Sequence, residues 1–273
     1  MSHQALHRVT VRMLFDSTFA TRVHSGEESL PELPARERDW LRRVDPRAWT
    51  VDHQRPVRTL RELSAEFKSS CAIAVGRTRS ITTLSDFFRS PPFHHCVQQR
   101  GSLDVAFAAY LAGLDRVPPD LLALEAAMAR CRREHTATPE RLRKAPADPW
   151  VARARGVGAL SVDTSTLPCL NRVEERLFEL SLQPLLALST DGPQLPDLPT
   201  LTGELDHLVL QPRNGEPVPS RLGKVVCHTL QKLDDPVPTE DFPALSGLAE
   251  NLAQRLLQDL VTAGLVVTGA AQR

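Results

Sequence analysis

The stretch DFFRSPPFHHCVQQRGSL, residues 86–103, constrains this chain more than any other. In a protein that is only 5 % aromatic it gathers Phe87, Phe88 and Phe93. Each such ring can bury about 150–250 Å². Pro91-Pro92 ends the preceding helix, because proline has no amide donor and pushes the residue before it out of the α region. The following FHHCVQQR segment starts another helix, with Gly101 suited to its C-terminal end. A packed joint between two helices is predicted, with a few polar groups projecting from it.

His94, His95 and Cys96 suggest a metal site, but neighbours on a helix point in different directions. Ligands on one face need i,i+3 or i,i+4 spacing. The five cysteines, Cys71, Cys96, Cys131, Cys169 and Cys227, include no C-x-x-C pair. No metal site is predicted in this chain. Scattered thiols, odd in number, fit a reducing compartment. With no 18-residue apolar run and no apolar segment near the start, neither a membrane span nor a secretory signal is expected, and a cytoplasmic location follows.

The formal charge is zero, but the sum hides a gradient. Residues 1–149 hold 23 Lys and Arg against 18 Asp and Glu, whereas residues 204–273 hold 6 against 9. At 273 residues there is length for two domains. The predicted class is mostly α with a small α+β part. Residues 1–134 form an all-helical domain, 135–150 a linker, and 151–273 a winged-helix-like domain.

In chain order, Val9, Met13, Phe15, Phe19 and Val23 form a helical stripe bent at Asp16-Ser17, a capping pair. Pro34 opens a charged helix with Trp40 and Leu41 inward, and Asp45-Pro46 starts a short turn carrying Trp49. Residues 54–75 read as one long helix burying Val57, Leu60, Leu63, Phe67, Cys71 and Ala74. Residues 80–89 form the next. A helix follows Gly101, and another runs from Pro118-Pro119 to Glu134. The HTATPERLRKAPADPW segment reads as the linker.

Beyond it the pattern changes. Residues 158–162 read as a strand, 167–182 as a helix and 190–201 as a proline-rich loop. Residues 207–211 form a strand, Arg213-Asn214-Gly215 a hairpin turn, and 217–220 a returning strand whose prolines mark an edge. Three helices follow: 221–233, 239–245 with Thr239 as cap, and 249–263. A last strand is expected at 265–267. This order is winged-helix-like. Duplex binding needs Lys and Arg to neutralise phosphates, and the excess of acid after residue 204 disfavours it. A peptide added along the edge strand, beside the last helix, needs no such charge. Glu216, Val218, Ser220, Gln254, Arg255 and Gln258 are the candidate peptide-binding residues.

The succession RMLFDSTFATRV, DWLRRVDPRAW, FFRSPPFHHCVQQRGSL, a helix and a winged-helix-like end resembles the partner proteins of the multinuclear non-haem iron-dependent oxidases. Those oxidases modify ribosomally made peptides. Phe87, Phe88, Ser90, Pro91, Phe93, His94, Cys96, Val97, Gln98, Arg100, Gly101, Ser102 and Leu103 carry the most specific part. The likeness is strong over about the first 115 residues and weaker after the linker. Within the family the chain is most similar to the branch paired with the TglH-type oxidase of 3-thiaglutamate biosynthesis. The methanobactin branch is shorter.

The resemblance implies a noncatalytic subunit in a heterodimer with the oxidase, with no cofactor of its own. Iron and oxygen chemistry reside in the oxidase, which excises the β-carbon of a C-terminal cysteine. This subunit binds the precursor's leader and presents its core. Phe93, His94, Gln98 and Arg100 are the candidate oxidase interface. One departure from the family pattern is the helix between the first strand and the hairpin. The competing readings are a DNA-binding regulator, a metalloenzyme using His94, His95 and Cys96, and a partner for oxazolone- and thioamide-forming chemistry.

Overall fold

The computed structural model describes residues 2–50, 54–99, 101–114, 117–136, 149–179 and 197–269. Most of the described chain is helical, with two small antiparallel sheets. It divides into two units, Met1–Leu122 with Cys169–Leu198, and Ala123–Pro168 with Pro199–Arg273. The helix Pro119–Thr136 contributes residues to both. Residues 137–148 of the expected linker, the end of the helix expected at 167–182, most of the 190–201 loop, and Arg100 lie outside the described residues.

The first unit is built from α1 (Ser2–Phe15), α2 (Ser17–Ser25), α3 (Ala35–Arg43), α4 (Arg47–Thr50), α5 (Arg55–Glu66), α6 (Lys68–Thr78) and α7 (Thr82–Ser85). A 3₁₀ turn at Asp86–Arg89, α8 (Pro91–Gln99) and α9 (Leu103–Ala112) complete its helical run. Asp16 caps α2, accepting the Phe19 amide at 3.0 Å, so the bend expected at Asp16-Ser17 is a true helix boundary. Leu41 is fully buried, but Trp40, expected inward, is 51 % exposed.

The single helix expected over residues 54–75 is two. Phe67, at φ −117° and ψ 47°, separates α5 from α6. Residues Ser69 to Val75 are buried all round, whereas α5 buries one face. The bend lets one continuous apolar pattern serve both requirements, and it leaves Val57 50 % exposed. The aromatic joint forms as the motif predicts. Phe88 stacks on Phe15 at 4.8 Å, Phe93 meets Phe87 at 5.2 Å and Phe88 at 5.3 Å, and Phe107 meets Phe87 at 5.0 Å. Gly101 closes α8 by donating its amide to the Cys96 carbonyl, a 6→1 bond.

In the second unit α10 (Pro119–Thr136) is followed by β1 (Trp150–Arg153) and β2 (Gly158–Asp163), and α11 (Thr166–Glu179) begins there with most of its length, from Cys169 on, belonging to the first unit. The order continues with β3 (Leu205–Arg213), β4 (Glu216–Arg221), α12 (Lys224–Gln231) and β5 (Val237–Pro238). After a 3₁₀ turn at Thr239–Asp241 come α13 (Phe242–Ser246), α14 (Glu250–Thr262) and β6 (Val266–Gly269). One sheet has the order β2-β3-β4 and the other β5-β1-β6, both antiparallel. The hairpin turns at Asn214-Gly215, with φ of 53° and 83°, which is the type I′ geometry that suits this dipeptide. Strands β1 and β5 are additions to the expected order. Thr239 is not a side-chain cap: the 3₁₀ turn has Pro238 at its start and α13 has Asp241, neither with a side-chain capping bond. Val209, Cys227, Leu230, Leu233, Phe242, Ala253 and Leu260 make the core between sheet and helices. Among the described residues no helix is long and apolar enough to cross a membrane.

Candidate functional site

The hairpin strand β4 holds Glu216, Val218 and Ser220 on one face, opposite Arg213, Gln211 and Val209. Val218 and Ser220 are half-buried and Glu216 is exposed. The Glu216 carboxylate accepts from Arg132 of α10, Nε at 3.0 Å and Nη2 at 2.6 Å. A peptide approaching Glu216 therefore meets a paired acid. Exposed pairs of this kind contribute about 0–1 kcal/mol.

Gln254, Arg255 and Gln258 all lie on the exposed face of α14, whose buried side is Ala253 and Leu260. One described bond fastens this helix to the hairpin sheet. Gln211 Nε2 donates to the Ala263 carbonyl at 3.1 Å, and Gln211 is the strand partner of Val218. The C-terminal end of α14 is thus held next to β3. At a rise of 1.5 Å per residue, Gln258 stands about 7 Å back along the helix and Gln254 about 13 Å.

The register determines what the β4 edge can offer an added strand. Leu222 donates to the His207 carbonyl, and the same register pairs Ser220 with Val209 and Val218 with Gln211. Hydrogen-bonded pairs alternate with unbonded ones in an antiparallel ladder. The main-chain groups of residues 217, 219 and 221 therefore point away from β3. Two of those three are proline, so Pro217 and Pro219 present carbonyls and no amide donors. The outer edge of β4 accepts at those positions and cannot donate.

Sequence reading missed a polar cluster on the same side of the sheet. Ser161 Oγ lies 2.8 Å from His207 Nδ1, and the His207 ring packs edge-on to His228 at 5.4 Å. Beside them the Cys227 thiol donates to the Leu160 carbonyl at 3.3 Å, and burial raises its pKa. Ser161 and His207 are directly opposed cross-strand residues. The one nearby acid on β3, Asp206, is committed to Arg221 at 2.8 Å. Strand register opposes Ser161 to His207 and the packing of α12 adds Cys227 and His228, and local spacing carries no trace of either.

At the helical joint, Phe93 is fully buried among Phe15, Phe87 and Phe88. It serves the core and has no surface to present to a partner, which corrects its assignment to an interface. His94 and Gln98 are half-buried. His94 Nδ1 is buried without a hydrogen-bond partner. Its pKa is lowered by burial first, then by the Arg12 and Arg8 cations. Arg12 on α1 has its guanidinium 3.9 Å from the Phe19 ring centre, and its Nε is likewise buried without a partner. Asp16, one turn on, is held by Arg89 through Nε at 2.8 Å and Nη2 at 3.3 Å. Among the described residues no group of three or more His, Cys, Asp or Glu is arranged to hold a metal ion. No protein-family model, curated protein or solved structure matches the chain.

Proposed function

We propose that this chain is the noncatalytic partner subunit of a multinuclear non-haem iron-dependent oxidase, of the TglI type that works with TglH in 3-thiaglutamate biosynthesis. In this role it binds the leader of a ribosomally made precursor peptide, as TglA-like precursors require, and presents a C-terminal cysteine to the oxidase for β-carbon excision. Iron belongs to the oxidase subunit, in a cytoplasmic heterodimer.

The observation that carries the reading is the order of the second unit. A three-stranded antiparallel sheet with a hairpin edge precedes three helices, the last of which is tied to the sheet through Gln211. That order supports a winged-helix-like peptide-recognition domain. The leader lies beside β4 and α14, donating amides to the Pro217 and Pro219 carbonyls and meeting Val218, Ser220, Gln258 and Arg255 through side chains. Tethering there raises the local concentration of the reactive end to roughly millimolar when the reach is right. A winged helix that binds duplex DNA is the second reading. The balance of 6 basic against 9 acidic residues after position 203 weighs against it.

The test is co-purification with the oxidase, followed by titration of a labelled leader. A one-to-one complex whose leader affinity falls on Val218→Asp or Arg255→Ala is expected. A complex indifferent to both changes places the leader elsewhere, and no complex at all ends the proposal.

A further inference from the structure

The sheet β5-β1-β6 ends in an edge that no strand covers among the described residues. β6 pairs with β1 alone, Val266 opposite Arg153 and Gly269 opposite Trp150. Ala154 donates to the Leu265 carbonyl at 2.9 Å. On the other side of β1, Arg153 donates to the Leu233 carbonyl and Pro149 accepts from the Thr239 amide. Bonded positions alternate along an antiparallel ladder, so Ala152 bonds Val267 and Trp150 bonds Gly269. The amide and carbonyl of Val266 and of Thr268 therefore point outward, and among the described residues no bond reaches them.

Sheets are normally kept from joining by charges, prolines or very short strands at their edges. β5 is two residues long and ends in Pro238, and β4 has Pro217 and Pro219 at outward positions. β6 is also short, but it carries neither charge nor proline, and Val267 is 44 % exposed on it. Its pattern is also self-complementary. When the strand is set antiparallel to itself about a two-fold axis at Val267, Val266 of each copy faces Thr268 of the other. Each such pair exchanges two hydrogen bonds, so four form and no outward donor or acceptor of these residues is left over. Val267 then meets its own counterpart at the unbonded position, where Cα atoms approach to about 4.5 Å. Pairs of β-branched side chains suit that position. The register is pinned by the Trp150 indole, which lies over Gly269 and leaves no room for a Cβ there. Because side chains alternate, Trp150, Ala152 and Val267 share one face, while Val151 and Val266 belong to the core.

We infer that β6 is a self-association edge, through which two copies of this chain join antiparallel at Val266–Thr268 into one six-stranded sheet. The inference does not depend on the partner role proposed above. Four bonds and one valine pair make a contact smaller than a standard interface, so the dimer is weak and depends on concentration.

Sedimentation equilibrium of the full chain over a range of concentrations tests this. The samples are wild type, Thr268→Pro, Val267→Lys and the control Val57→Lys, which alters an exposed apolar residue of the other unit. Wild type should dimerise reversibly. Thr268→Pro removes an outward amide that bonds nothing within the described chain, and Val267→Lys sets two ammonium groups against each other. Each should weaken the dimer about tenfold or more, because symmetry applies every change twice, and the control should match wild type. Mixing Val267→Lys with Val267→Glu should restore association, a result that misfolded variants cannot give. A wild type that stays monomeric at every concentration overturns the inference. So does a dimer that neither variant weakens, or a mixture that restores nothing. A labelled leader that separates the wild-type dimer and fails to bind Thr268→Pro assigns the edge to the peptide, and this too overturns the inference.

Discussion

The two units differ in the buried polar groups they leave unmatched. In the sheet unit, Asp163 is 5 % exposed and its carboxylate accepts from the Ser165 amide and hydroxyl, the Thr202 amide and hydroxyl, and the Gly203 amide. One side chain thereby ties the end of β2 to the segment entering β3. In the helical unit Arg12 Nε, His24 Nε2, Glu37 Oε2, Trp49 Nε1 and His94 Nδ1 are buried and bond nothing among the described residues. Full satisfaction makes a group part of the scaffold. An unmatched group leaves free energy to be gained by whatever completes it.

The contrast breaks most readily at Asp163. Its pKa is depressed, first by the Ser165 hydroxyl and then by the Ser165 amide, with the amides of Gly203 and Thr202 adding to both. A depressed carboxylate contributes stability that is fully present above its unfolded pKa, about 3.9. That contribution is lost as pH falls through the folded value. Asp163→Ala should lower the melting temperature of the sheet unit more than any other substitution named here, and should flatten its stability profile below about pH 4. Calorimetry across pH checks both, and an unchanged profile would show that the hub is not a scaffold element.

A smaller effect is expected at Gly158, where an added Cβ would stand 2.7 Å from Cys131 Sγ and 3.2 Å from Leu210 Cδ1. Gly158→Ala should destabilise the sheet unit by about 1–3 kcal/mol, the usual cost of overpacking. Cys131→Ala in the same chain should recover much of the loss in a urea titration. The smallest effect belongs to the helical unit. Arg12→Leu removes an unmatched donor but also a cation over Phe19, so its stability should stay within about 1 kcal/mol of wild type. If denaturation shows a loss like that of a core residue, the guanidinium is structural and the contrast fails.

How much of this was legible beforehand depended on whether the cause was local. Proline and glycine act within a few residues, so the stop at Pro91-Pro92 and the turn at Asn214-Gly215 could be read directly. The Asp16 cap and the aromatic composition of the joint were legible for the same reason. Strands β1 and β5, four and two residues long, are too short to show alternation. They exist only because each pairs with a partner far along the chain. The break at Phe67 was hidden because its apolar residues keep helical spacing across it. Of the candidate site, β4 and the outward face of α14 followed from pattern. The Arg132–Glu216 pair, the Ser161–His207 contact and the burial of Arg12 Nε and His94 Nδ1 depend on tertiary placement, which no local spacing reports. Phe93 was legible as an aromatic anchor, but its full burial is a property of the packed joint.

The proline pair on β4 has a further consequence. A strand that both gives and takes hydrogen bonds locks its neighbour in register, since a slip of one residue turns every side chain over. A stretch that only accepts, as at Pro217 and Pro219, imposes no such lock in both directions. An extended chain resting there can move by a dipeptide step and meet the same pattern again. Identical copies of the rim, each short of donors, also cannot zip to one another, so the hairpin is protected against edge-to-edge assembly.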